Sequence, residues 1–310
     1  MNNVKPRDSY FTRLRKNMKI YYGTYIMAIP VVVYFIVFAY LPMYGIIIAF
    51  QNYVSLKGIL GSTFVGLKHF RDFFSSYYFI RLLINTLLIS VYGLLFAFPA
   101  AIILALLLNE VRNRPFKRVV QTITYMPYFI SLVVVATLIL DFTLPEGFIN
   151  DVRAFFGAAR VNLMGSSSYF RTIYVGSNIW QYVGFDSIIF LAAIAGVDMQ
   201  IYEAAIIDGA GRLRQTWHVT LPGILPTIVI ILILRIGSIM NVGFEKIILI
   251  YNPTIYNVAD VISSFVYRKG IMEANYAYST AVGFFNSVCN FTVLVAANAL
   301  SKRITKSSLW

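Results

Sequence analysis

The chain has 310 residues, of which 59% are hydrophobic and 13% charged, with a formal net charge of +13 and a mean hydropathy of +0.72. A soluble domain carries about a quarter charged residues, so a chain this apolar cannot cover its surface in water and belongs in a bilayer. The basic excess does not mark a nucleic-acid partner, because the lysines and arginines flank apolar runs and build no basic helix or aromatic-studded sheet. The single cysteine, Cys289, excludes an intrachain disulfide.

Residues 1–24 form a basic segment, with Lys5, Arg7, Arg13, Arg15, Lys16 and Lys19 against one acid, Asp8. The run at 25–50 is uncharged and longer than a signal-peptide core of about 7–15 residues. It predicts an uncleaved first transmembrane helix, since about 20 apolar residues cross the hydrocarbon core. Five more spans are predicted at 82–108, 119–140, 173–197, 223–243 and 276–300. All are read as helices, because an open strand cannot satisfy its backbone in lipid. The expected fold is all-α and integral to the membrane, with six transmembrane helices and a short tail at 301–310. The intervals 51–81, 141–172 and 244–275 read as longer loops on one side of the membrane. The shorter connections, with Arg112, Arg114, Lys117 and Arg118 after the second span, lie on the other. The excess of lysine and arginine before the first span and after the second places both termini and residues 198–222 in the cytoplasm.

The stretch at 203–222, EAAIIDGAGRLRQTWHVTLP, is the polar interval of the second half that looks built to touch something other than lipid. Glu203, Ala204 and Ala205, with Gly209 four positions on, predict a helix with a bare face on which a partner can come close. Gly209 suits the left-handed geometry that ends a helix. A second short helix is expected from Arg212 to His218, with Pro222 at the entry to the next span.

The pattern E-A-A, three residues, G, nine residues, an aliphatic residue, one residue, L-P resembles the signature loop of permease subunits of bacterial binding-protein-dependent ABC importers. It is matched at Glu203, Ala204, Ala205, Gly209, Val219, Leu221 and Pro222, and Asp208 and Ala210 extend it to the D-G-A form. Valine at 219 departs mildly from the usual isoleucine. Asn85-Thr86, Ala105-Leu106, Arg118, Tyr125-Met126-Pro127, Trp180 and Leu191-Ala192-Ala193 also resemble the core of these permeases. The similarity covers residues 80–300 and is most marked to the group that imports oligosaccharides, as the maltose transporter does.

The resemblance implies a type I importer fold in which the 198–222 loop is a coupling helix, docked on a separate ATPase subunit. It also implies a second related permease, two ATPase copies and an extracellular substrate-binding protein seated on the 51–81, 141–172 and 244–275 loops. ATP and magnesium would be bound by the ATPases. This chain holds no Gly-Lys pair, which a phosphate-binding G-x-x-x-x-G-K-[ST] loop requires. His69 and His218 lack ligand-like companions, so no metal, cofactor or catalytic site is expected. Glu203 and Asp208 either pair with basic groups of the ATPase, or Glu203 serves its own helix N-terminus. Arg212 and Arg214 meet either the ATPase or lipid headgroups.

Polar residues inside spans mark candidate pathways. The fourth span carries Asn178, Gln181 and Asp186, the fifth Arg235, Ser238 and Asn241, and the sixth Asn286 and Asn290, with Ser279 and Gly283 on the same stripe. Their amides and hydroxyls suit sugar hydroxyls, and Tyr125, Trp180 and Tyr182 could stack on sugar rings. The competing reading is interhelical glue. Asp186 and Arg235 either pair with each other or meet an acidic sugar. The resulting expectation is an oligosaccharide importer permease. An importer for an amino acid or polyamine is the alternative, and an ion-driven carrier a more distant one that lacks visible repeats.

Overall fold

The computed structural model describes residues 16–304; the basic residues Lys5, Arg7, Arg13 and Arg15 and most of the 301–310 tail lie outside them. Six helices are long and apolar enough to cross a membrane: Tyr22–Phe50, Tyr78–Glu110, Leu132–Phe155, Ser167–Ala195, Arg212–Gly237 and Tyr276–Arg303. Apart from a two-residue antiparallel ribbon pairing Gln51 with Phe64 and Asn52 with Thr63, the described residues are helices and turns.

Three spans contain a wide π-helical turn, and in each a proline follows two residues after it. The turns are Ile36–Tyr40 before Pro42, Gly93–Ala97 before Pro99 and Thr216–Thr220 before Pro222. Proline lacks an N–H and its ring presses on the carbonyl four residues back. The residue just before each proline answers by bonding five residues back: Leu41 to Ile36, Phe98 to Gly93 and Leu221 to Thr216.

The fourth span, Ser167–Ala195, is unbroken and about 44 Å long at 1.5 Å per residue. Around it Ala101, Ala105, Phe190, Ile194 and Ile224 pack the second, fourth and fifth spans together. Gly184 is where the fourth span meets the backbone at Thr124, whose carbonyl oxygen a Cβ would strike. In contrast, no residue of the most apolar window of the first span is buried; this helix is held at its end, where Phe50 meets Phe70 and Phe284.

Two expectations change. The third span, predicted as a continuous helix at 119–140, is broken. A helix at Arg114–Tyr125, capped by Asn113, runs into a 3-10 turn at Met126–Phe129, and a new helix, Leu132–Thr143, starts from the Ser131 cap. Pro127 removes one intrahelical bond and Ser131 offers its hydroxyl to the restart. Leu132–Thr143 has 12 residues, about 18 Å at 1.5 Å per residue, and the helix Phe148–Phe155 follows it after a short turn. The 244–275 interval is not a free loop either. It folds back as the helices Phe244–Ile250, Tyr256–Ala259 and Ile262–Tyr267. Ile247, Ile250, Ile255, Ala259, Val261, Ile262 and Phe265 are all at most 1% exposed. This run is aliphatic enough to fill the bundle, and its buried acid finds a partner inside. Asp260, fully buried, accepts two bonds from Arg268 at 2.6 and 3.1 Å. Asn85 donates to the carbonyls of Asn257 and Asp260, both at 3.0 Å, and accepts from Arg171 at 2.9 Å.

Candidate functional site

Two places carry the functional candidates. One is a cavity of about 320 Å³ between the second, fourth and fifth spans. On the fourth span Tyr174, Asn178, Tyr182 and Asp186 all line it; their spacing of four puts them on one helix face. Across from them stand Arg235, Ser238 and Asn241, then Glu245 and Lys246, with Ser90, Gly93 and Phe98 from the second span.

Arg235 donates to Asp186 at 2.6 Å, so these two intramembrane charges satisfy each other at the cavity wall. Asn241 accepts from the side-chain amides of Asn286 at 3.0 Å and Asn290 at 2.9 Å, while the Asn290 oxygen takes the backbone N–H of Met240 at 2.9 Å. Asn286 and Asn290 do not line the cavity. They fasten the sixth span to the backbone where the fifth helix ends, which is the role of glue. Gln181 is buried behind the lining face, half-buried Tyr125 packs at the Gly184 crossing, and Trp180 is 47% exposed away from the cavity. Of the residues proposed from sequence, the cavity therefore gathers Asn178, Tyr182, Asp186, Arg235, Ser238 and Asn241.

Sequence reasoning missed Lys246, which reads as a boundary charge of an outer loop. It is 4% exposed, on the Phe244–Ile250 helix between the fifth and sixth spans. Its ammonium donates to Asn178 at 2.7 Å and to Gln181 at 3.5 Å, and sits 5.6 Å from the centre of the Tyr174 ring. The clue was the apolar run Ile247 to Ile250 just beyond it, too greasy for an exposed loop. Burial pushes this ammonium down from its ordinary value to about 8. At Arg268 burial acts in the same sense, but the two bonds and the charge of Asp260 outweigh it and raise that guanidinium instead.

The other place is the 198–222 loop. Met199–Ile207 is a short helix capped by Asp198, whose carboxylate takes the N–H of Gln200 at 2.9 Å. It stops at Gly209, φ +72°. Ala210 N–H bonds the Ala205 carbonyl at 2.9 Å and Gly209 N–H that of Ile206 at 3.0 Å, the paired closure of a Schellman end. The helix is braced: Tyr202 shares a hydrogen bond with Thr220 at 2.9 Å, Gln215 donates to the Ala210 carbonyl at 2.7 Å, and Arg212 lies 3.4 Å from Glu110. Its outer surface is exposed at Met199, Ile201, Glu203, Ala204, Ile206, Ile207 and Asp208. Among the described residues Glu203 and Asp208 have no ion-pair partner. The expected second short helix is not separate. Arg212 begins the fifth span itself, and Leu221 and Pro222 lie inside that span, just past its π-turn.

The sequence profile of the family described as binding-protein-dependent transport system inner membrane component matches residues 97–306. The chain belongs to this family. It is 45% identical over 287 residues to the protein LplB of Bacillus subtilis, covering 92% of this chain and 90% of that one. It is equally 45% identical to the polygalacturonan/rhamnogalacturonan transport system permease protein YteP of the same organism, covering 92% and 89%. A chain in the crystal structure of a bacterial alginate ABC transporter, in complex with its alginate pentasaccharide-bound periplasmic protein, superimposes with a TM-score of 0.88. The two are 43% identical, covering 96% of this chain and 100% of that one. This multi-pass membrane chain is thus a transport permease with six membrane-crossing helices.

Proposed function

We propose that the chain is one of two related permeases that together form the path of an ATP-driven importer for an acidic oligosaccharide. The observation that carries this is the cavity, where the ammonium of Lys246, which has no carboxylate partner among the described residues, and the Asp186–Arg235 pair stand among amides and hydroxyls, with Glu245 at the edge, inside an otherwise apolar bundle. Such convergence of polar groups in an apolar site is the mark of ligand recognition, and intramembrane charge marks pathways. The names of its relatives support the acidic cargo, since polygalacturonan and alginate are both chains of uronates. An extracellular binding protein would deliver the sugar between the permeases. Two ATPase subunits, holding ATP and magnesium, would drive the cycle through the Met199–Ile207 helix, with both termini in the cytoplasm. That helix is short, braced to the fifth span and apolar outside, as force transmission from a docked partner requires.

The test is reconstitution in vesicles with the partner permease, ATPase and binding protein. ATP-dependent uptake of a galacturonan trisaccharide is expected. Uptake by this chain alone on a sodium or proton gradient, or of amino acids in place of sugars, would overturn the reading.

A further inference from the structure

Lys246 stands apart from Arg235 and Arg268. Arg235 has Asp186 and Arg268 has Asp260, each at 2.6 Å. Lys246 is more deeply buried than either, yet among the described residues no carboxylate lies within 4 Å of it. Its partners are the neutral oxygens of Asn178 and Gln181 and the ring face of Tyr174. Neighbouring Glu245 is exposed at the cavity edge and makes no ion pair with it. Taking a cation out of water without a counter-ion is costly, and amide dipoles only partly offset it. An ammonium has three donors, and two are accounted for. The cavity it borders, about 320 Å³, falls within the range of small-ligand sites, roughly 300–1,000 Å³.

We infer that Lys246 is a specificity-determining residue of the pathway, and that a carboxylate of the passing sugar supplies its missing counter-ion. This rests on the oligosaccharide reading above. Asn178 and Gln181 hold the ammonium in place, with the Tyr174 ring centre 5.6 Å from it. A neutral sugar leaves that charge unpaired in a desolvated wall, so the site discriminates by the cost of a missing partner.

The experiment compares the wild-type complex with Lys246→Met and Lys246→Arg in vesicles, measuring uptake of the galacturonan trisaccharide at matched amounts of assembled complex. Lys246→Met is expected to lower uptake at least about tenfold, the scale of one lost charge-assisted hydrogen bond, and Lys246→Arg to restore it to within about twofold. A pH series separates this from a packing role. Because burial brings Lys246 to about 8, wild-type uptake should fall as pH passes that value while Lys246→Arg stays level. The other ionisable groups on the cavity, Tyr174, Tyr182, Glu245, Asp186 and Arg235, are common to both proteins, so the difference between the profiles belongs to position 246. Wild-type uptake matched by Lys246→Met, or loss of assembly in both variants, overturns the assignment and leaves the transport reading standing. A wild type that imports no trisaccharide under ATP overturns the transport reading, and this assignment with it.

Discussion

At the scale of single residues, the Asp186–Arg235 contact joins two spans from side chains that are 29% and 53% exposed. Both side chains line the cavity, so the weight of the pair falls on transport. Either charge reversed alone should impair ATP-driven uptake in vesicles, and Asp186→Arg combined with Arg235→Asp should recover it; no recovery would assign the two groups separate contacts with cargo. Gly209 is a different kind of residue. Nothing lies within 4 Å of where its Cβ would be, so the constraint is backbone alone. A β-branched residue in the left-handed region is strained by about 1–2 kcal/mol, whereas asparagine visits it readily. Gly209→Val should therefore uncouple ATP hydrolysis from uptake, and Gly209→Asn should retain most coupling, both read from the ratio of the two rates. The lining stripe was partly legible in sequence: spacing grouped Asn178 and Asp186 with Gln181, which lies behind the lining, and Tyr182 was picked out only as an aromatic. Lys246 was not, because a lysine just past a span looks the same whether the chain leaves the membrane or folds back.

At the scale of elements, the fold-back at 244–275 is secured by Asp260. Its carboxylate has no exposure and holds Arg268, while the adjoining backbone is tied to Asn85 on the second span. Removing one partner of a buried pair costs about 3–5 kcal/mol. Asp260→Asn should markedly lower the melting temperature of the purified complex in detergent. The crossing at Gly184 gives a second expectation. Gly184→Ala must push the fourth span off Thr124, and overpacking of this kind costs about 1–3 kcal/mol, again measured by melting. The break in the third span escaped sequence reading for a plain reason. No charged residue falls between Val119 and Leu140, and Pro127 is the one proline among them. A proline in an apolar run is compatible with a kinked helix as well as a broken one. The short helix ending at Gly209 was legible because its stop signal is a backbone preference, whereas the merger of Arg212 with the fifth span depended on how a π-turn accommodates Pro222.

At the scale of the whole molecule, six crossings were legible because lipid demands long apolar runs whatever the packing. Which of them face each other was not, since packing between helices in lipid rests on shape and not on hydropathy. The first span illustrates this: its sequence is as apolar as the rest, yet no residue of its most apolar window is buried within this chain. The braced helix at Met199–Ile207 presents Ile207 at 86% exposure, and a cysteine there should cross-link to an ATPase subunit in inside-out membranes, more strongly in one nucleotide state than another. Absence of any such product would contradict docking at this helix. The wide turns that precede Pro42, Pro99 and Pro222 carry a broader consequence. A helix with a surplus residue at one level can swivel there and keep every bond it owns, much as a stair with a landing lets a flight change direction. One of these landings lies on the cavity wall at Gly93 and another directly above the braced helix at Thr216. The bundle thus already contains the articulation through which a push at one face can reorient the walls around a passenger.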